Sequence, residues 1–108
     1  MKVAVLVPGD TLRTVEIQRD LIEIRILIGG KKSAADYLVD GILAVFDADA
    51  QRRGEWSCCH NPRTGNDLYG VIVFAREGGK GFPYASLDDR DVRLLESYVR
   101  SHGIRRSI

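Results

Sequence analysis

Cys58-Cys59-His60 is the densest run of reactive side chains in this sequence, and His102 is the only other histidine. A thiolate beside an imidazolium is an activated nucleophile, and thiolate and imidazole are both zinc ligands. The spacing works against both uses. Adjacent cysteines cannot easily aim at one ion, because ligand pairs are normally separated by at least two residues, and no third group identifies itself to orient His60. Gly29-Gly30-Lys31-Lys32-Ser33 invites comparison with a phosphate loop, in which glycines let backbone N–H groups cradle phosphate while a lysine reaches the outer oxygens. That motif needs a glycine where this chain has Arg25, so a helix stop followed by a solvated strand start is the simpler reading. Asp47 and Asp49 begin like a calcium loop, but Arg52 and Cys58 occupy the positions that require glycine and glutamate. No metal, cofactor or catalytic residue is therefore assigned.

Recognition is the remaining chemistry. Arg52, Arg53, Trp56, Asn61 and Arg63 fall within a polar, turn-rich stretch from 48 to 67, the longest connection in the chain, and long connections in compact domains are usually functional or disordered. Tryptophan and arginine are the residue types favoured at contact centres. These five are the candidate partner-binding residues. Arg76, Arg100, Arg105 and Arg106 extend the arginine-rich half, and with Trp56 and Tyr69 for base stacking they define an alternative, an RNA or DNA surface. The charge balance disfavours it: 16 Lys and Arg face 15 Asp and Glu, a net charge of +1, with −2 on residues 1–50 and +3 on 51–108. Nucleic-acid domains usually carry a basic stripe, and here acids are scattered among the bases.

The elements that must hold these residues follow from local pattern. Lys2 to Val7 and Leu12 to Ile17 flank the turn cluster Pro8-Gly9-Asp10 and read as an opening hairpin. In the segment from Asp20 to Gly30, Ile22, Ile24, Ile26 and Ile28 alternate like a strand. Against that, Asp20 with Glu23 resembles a capping box, Leu21, Ile24, Leu27 and Ile28 make a helical stripe, and Gly29-Gly30 is a stop. Residues 33–39 and 42–47 flank Asp40-Gly41, a two-residue hairpin turn. Trp56 and the cysteines fit a short strand inside the polar stretch. Leu68 to Ala75 is a near-continuous apolar run, expected as one central strand buried on both faces. Ser86 with Asp89 is read as the cap of a second helix, with the stripe Val92, Leu95, Val99 and a stop at Gly103. The expectation is an α+β fold: a small, mainly antiparallel sheet of about five strands with two helices, about 20–29 and 87–102.

At 108 residues, 44% hydrophobic and 29% charged, the chain suits a single domain, 1–108, able to bury a core without staples. Adjacent cysteines make a poor disulfide pair, with one sulfur expected buried and the other partly exposed, so a secreted disulfide scaffold is not indicated. The opening apolar run is cut by Pro8-Gly9-Asp10, too short for a signal peptide core or a membrane span. The expected location is the cytoplasm, with no membrane partner.

In order along the chain stand an opening strand; Leu21, Ile24, Leu27, Ile28, Gly29 and Gly30; a strand pair ending at Asp47; Asn61; Gly70 in LYGVIVF; and Ser86-Leu87-Asp88-Asp89. This succession resembles a small uncharacterised domain family, a domain of unknown function, of actinobacteria and their phages. The resemblance covers most of the chain and departs at Lys31-Lys32, where an apolar residue or tyrosine is usual, and at Cys58 to His60. It implies the helical form of the first motif, a bacterial or phage-infected cytosol, and no catalytic residues. The functional expectation is a phage or actinobacterial accessory or regulatory protein, host modulation included, acting through a protein partner or self-association. Nucleic-acid binding is the alternative, and a thiol-dependent enzyme at Cys58, Cys59 and His60 the weaker one.

Overall fold

The computed structural model describes residues 1–30 and 32–104; Lys31, Arg105 and Arg106, named above, lie outside them. Ten elements run in the order β1 (Lys2–Leu6), β2 (Arg13–Glu16), α1 (Leu21–Ile28), β3 (Ser33–Val39), β4 (Ile42–Asp47), β5 (Ser57–Asn61), β6 (Asn66–Tyr69), β7 (Ile72–Glu77), β8 (Tyr84–Ala85) and α2 (Asp89–His102). The fold is α+β. Its main sheet is antiparallel in the order β2-β1-β7-β4-β3, with β8 beside the end of β7, and β5 and β6 form a second sheet of two strands. Both expected helices and hairpins form. Asp40 and Gly41 both take positive φ, 51° and 80°, as the tight turn between β3 and β4 requires.

The central strands are apolar along their middles because both faces of the sheet are covered there. On one face Val3, Val5, Val45, Val73 and Ala75 meet Ile24 and Ile28 of α1. On the other Ala4, Leu6, Ile42, Ala44, Ile72 and Phe74 meet Leu95 and Tyr98 of α2 and Cys58, Cys59 and Leu68 of the β5–β6 pair. Neighbouring residues on one strand therefore feed opposite cores. Among the described residues no helix is long and apolar enough to cross a membrane.

Two local expectations are corrected. The run from Leu68 to Ala75 is not one strand: Gly70 adopts φ 76° and breaks it, so Leu68 pairs with Cys59 in the small sheet while Val73 pairs with Val5 and Val45 in the large one. The cap of α2 is Asp88 rather than Ser86. Asp88 accepts from the Asp91 N–H at 2.7 Å and the Asp91 carboxylate accepts from the Asp88 N–H at 3.0 Å, a full capping box. Ser86 Oγ instead accepts from the Lys2 N–H at 2.8 Å, tying the strand before α2 to the start of β1.

Candidate functional site

The stretch from 48 to 67 is not an open loop. Residues 48–56 form a compact turn organised by Asp47, and a hairpin of β5 and β6 follows. Asp47 closes β4, is buried, and accepts from the Asp49 N–H at 3.0 Å, while the Arg53 guanidinium caps its second oxygen. First the Asp49 N–H and then Arg53 hold the Asp47 carboxyl below its ordinary pKa against the opposing effect of burial. Arg53 also pairs with Glu55, and Arg52 with Asp49 at 3.0 Å. Gly30 lies so close to this carboxylate that a Cβ there would fall 2.1 Å from Asp47 Oδ2.

Trp56 leaves this turn 52% exposed. It borders a shallow, largely apolar depression of about 380 Å³ lined by Val7, Pro8, Gly54, Glu55, Gly70 and Val71. Val7 and Val71 follow β1 and precede β7, so the depression sits at the end of the main sheet where the chain crosses to the hairpin. Sequence reasoning placed Trp56 at a surface and missed this lining, because Val7, Pro8 and Val71 belong to strand ends far from it in the chain.

The five candidate residues do not form one surface. Arg52, Arg53 and Trp56 lie before β5 and Arg63 after it, about 15 Å of strand apart. Asn61 is fully buried. Its Nδ2 donates to the Tyr37 carbonyl at 3.2 Å and its Oδ1 accepts from the Arg63 N–H at 3.0 Å, so it shapes the hairpin turn and fastens it to the edge of β3. The Arg63 guanidinium stacks 5.6 Å above the Tyr37 ring, and the Tyr37 hydroxyl bonds Glu77.

Both cysteines are buried, which corrects the expectation of one exposed sulfur. The reason is a bulge: Ser57 pairs with Tyr69 and Cys59 with Leu68, leaving Cys58 as the extra residue, so strict alternation fails and both side chains enter the core. Cys58 Sγ donates to the Leu6 carbonyl at 3.5 Å. The neighbouring Cys59 sulfur and burial push the Cys58 thiol up, away from the thiolate. His60 turns the other way and lies 2.8 Å from Asp67 across the hairpin, with the His102 ring 6.4 Å off. The His60 imidazole is thus engaged by a carboxylate and not by the neighbouring thiol. Among the described residues, no three His, Cys, Asp or Glu side chains gather where an ion could be held.

A concavity of about 530 Å³ lies between the β1–β2 turn and the end of α2, with Leu6, Leu12, Cys58 and Val99 as its apolar lining and Asp10, Glu96 and Arg100 among its polar residues. A second, of about 520 Å³, is polar and includes Asp36, Asp47, Asn66 and Asp67. In the first, the Cys58 thiol is engaged by the Leu6 carbonyl. Against family models, curated proteins and solved structures, the chain finds no match.

Proposed function

We propose that this chain is a small protein-contact module, an accessory or regulatory protein that engages a partner protein or a second copy of itself through the surface around Trp56. The carrying observation is a large aromatic held 52% exposed at the rim of an apolar depression, on a turn fixed by Asp47 and Arg53. Indole area on a rigid mount binds at low entropic cost, which is why tryptophan recurs at contact centres. The arginines of the 48–67 stretch weigh against nucleic acid, since Arg52 and Arg53 are already matched by Asp49, Asp47 and Glu55, and Arg63 is stacked on the Tyr37 ring. A thiol enzyme is disfavoured by the burial of both sulfurs.

Trp56 is the only tryptophan, so its fluorescence reports directly on this surface. Sedimentation and emission spectra over a concentration series test self-association: covering Trp56 blue-shifts its emission as the oligomer forms. If the protein stays monomeric, matched pull-downs with wild type and Trp56→Ala should differ by a partner that only wild type retains, with affinity changed by more than about 1 kcal/mol. Arg52→Glu is the charge control, because Arg53 is structural. Partner retention by Trp56→Ala at unchanged affinity overturns the reading. Salt-sensitive binding to RNA or DNA that Arg52→Glu abolishes would put the nucleic-acid alternative in its place.

A further inference from the structure

We infer that the outer face of α1 is an interfacial anchor for an anionic lipid surface. Six of the eight residues of α1 are leucine or isoleucine. A helix apolar all round is normally buried all round, yet here only the side bearing Ile24 and Ile28 meets the sheet. Ile22 and Ile26, one turn apart on the opposite side, are 62% and 71% exposed, and Leu21 beside them is 41% exposed. No fold requirement explains them. Serine or lysine there would leave the core untouched and keep the helix soluble.

The charges around this ridge are not balanced in use. Its acids enter local bonds with the backbone: Asp20 caps the helix by accepting from the Ile22 N–H at 2.9 Å, and the Glu23 carboxylate accepts from the Gln18 N–H. Its bases do not. Among the described residues Arg25 and Lys32 are exposed and enter no ion pair. An apolar crest with cations on its flank is complementary to a layer that is apolar within and anionic at its rim, and long basic side chains can reach phosphate while the crest sits below it.

Shape selects among surfaces of that chemistry. None of the four concavities described for this protein includes Ile22 or Ile26 in its lining. The face is a convex ridge about 12 Å long. A protein partner would have to bring a matching groove, whereas a bilayer interface deforms around a ridge. Binding of this kind is peripheral and needs no spanning segment.

The test uses the full chain and sedimentation with vesicles of phosphatidylcholine alone or mixed with phosphatidylserine in equal parts. Wild type should bind the mixed vesicles, weakly or not at all the neutral ones, and come off as salt is raised. The double variant Ile22→Ser with Ile26→Ser should bind at least about tenfold more weakly, and Arg25→Glu on the order of tenfold more weakly. Both variants alter exposed side chains, so unfolding midpoints and Trp56 emission should match wild type, which separates lost binding from lost fold. Absence of binding to the mixed vesicles, equal binding to both kinds, or unchanged binding by the double variant overturns the inference. A concentration-dependent dimer that the double variant abolishes, without any vesicle binding, assigns the ridge to a second copy and overturns it equally.

Discussion

Asp47 and Asp91 lie almost out of water, and an arginine pairs with each. Asp91 receives Arg76 Nε at 3.0 Å and its Nη2 on the other oxygen, and Arg76 is the main cause of its lowered pKa. Asp47 is lowered by the Asp49 N–H first and Arg53 after it. A carboxyl whose folded pKa lies below its unfolded value contributes stability that is fully present above the unfolded pKa. That stability is lost as pH falls through the folded value. Urea midpoints should therefore be flat near neutrality and drop below about pH 4. Asp91→Asn should lower the unfolding free energy at neutral pH by about 2 kcal/mol and flatten the acid limb; an unchanged acid limb would show that the pair does not set it. The buried sulfurs give a second measurement. A thiol reagent such as dithionitrobenzoate should label neither Cys58 nor Cys59 in the native protein and both after denaturation. Rapid native labelling would return the thiol to the list of functional groups.

Secondary structure was legible where chemistry is local and obscure where a distant residue decides. Asp40-Gly41 and Gly29 could be read directly because each meets the conformational demand of its own turn. The cap of α2 could not be read in this way. Ser86 with Asp89 and Asp88 with Asp91 have the same spacing two residues apart, and the contest is settled by the Lys2 N–H, which engages Ser86 Oγ from 84 residues away. Asp88→Ala should accordingly cost about 1 kcal/mol through the helix end. Ser86→Ala should act instead on the β1 attachment, leaving helix content by circular dichroism unchanged. If Ser86→Ala frays α2 and Asp88→Ala does not, the assignment is reversed. The isoleucine alternation in α1 looked like a strand for a reason now visible. Ile24 and Ile28 belong to the core, while Ile22 and Ile26 serve the outer face, and the two sets together mimic a period of two.

Across the whole molecule, one sheet divides two cores, and β7 supplies both: Val73 to the α1 side and Phe74 to the α2 side. Composition and run length could announce a sheet buried on two faces. They could not announce that the apolar run would leave one sheet for another at Gly70, because that depends on what its two halves meet. The same limit scattered the candidate site: residues close in sequence were separated by a hairpin, and Val7, Pro8 and Val71 joined Trp56 from elsewhere. The shared strand predicts a single cooperative transition. Ile24→Ala should cost about 2 to 4 kcal/mol, and the midpoints by far-ultraviolet circular dichroism and by Trp56 fluorescence, which reports from the turn between β4 and β5 outside the α1 core, should fall together. Two separated transitions would mean that the α1 layer melts independently.

The fastening of the hairpin to β3 bears on how copies could add to one another. Strand edges invite pairing, and a sheet with two open edges can stack end on end into a fibre. Here Asn61 occupies a carbonyl of β3, and Arg63 covers Tyr37 beside it. The opposite edge, β2, has four residues, carries Arg13 and Glu16, and is not clasped in this way. A copy that paired through β2 would therefore present outward a β3 edge at which one carbonyl is already taken and one ring already covered, a poorer template for the next strand than a bare edge.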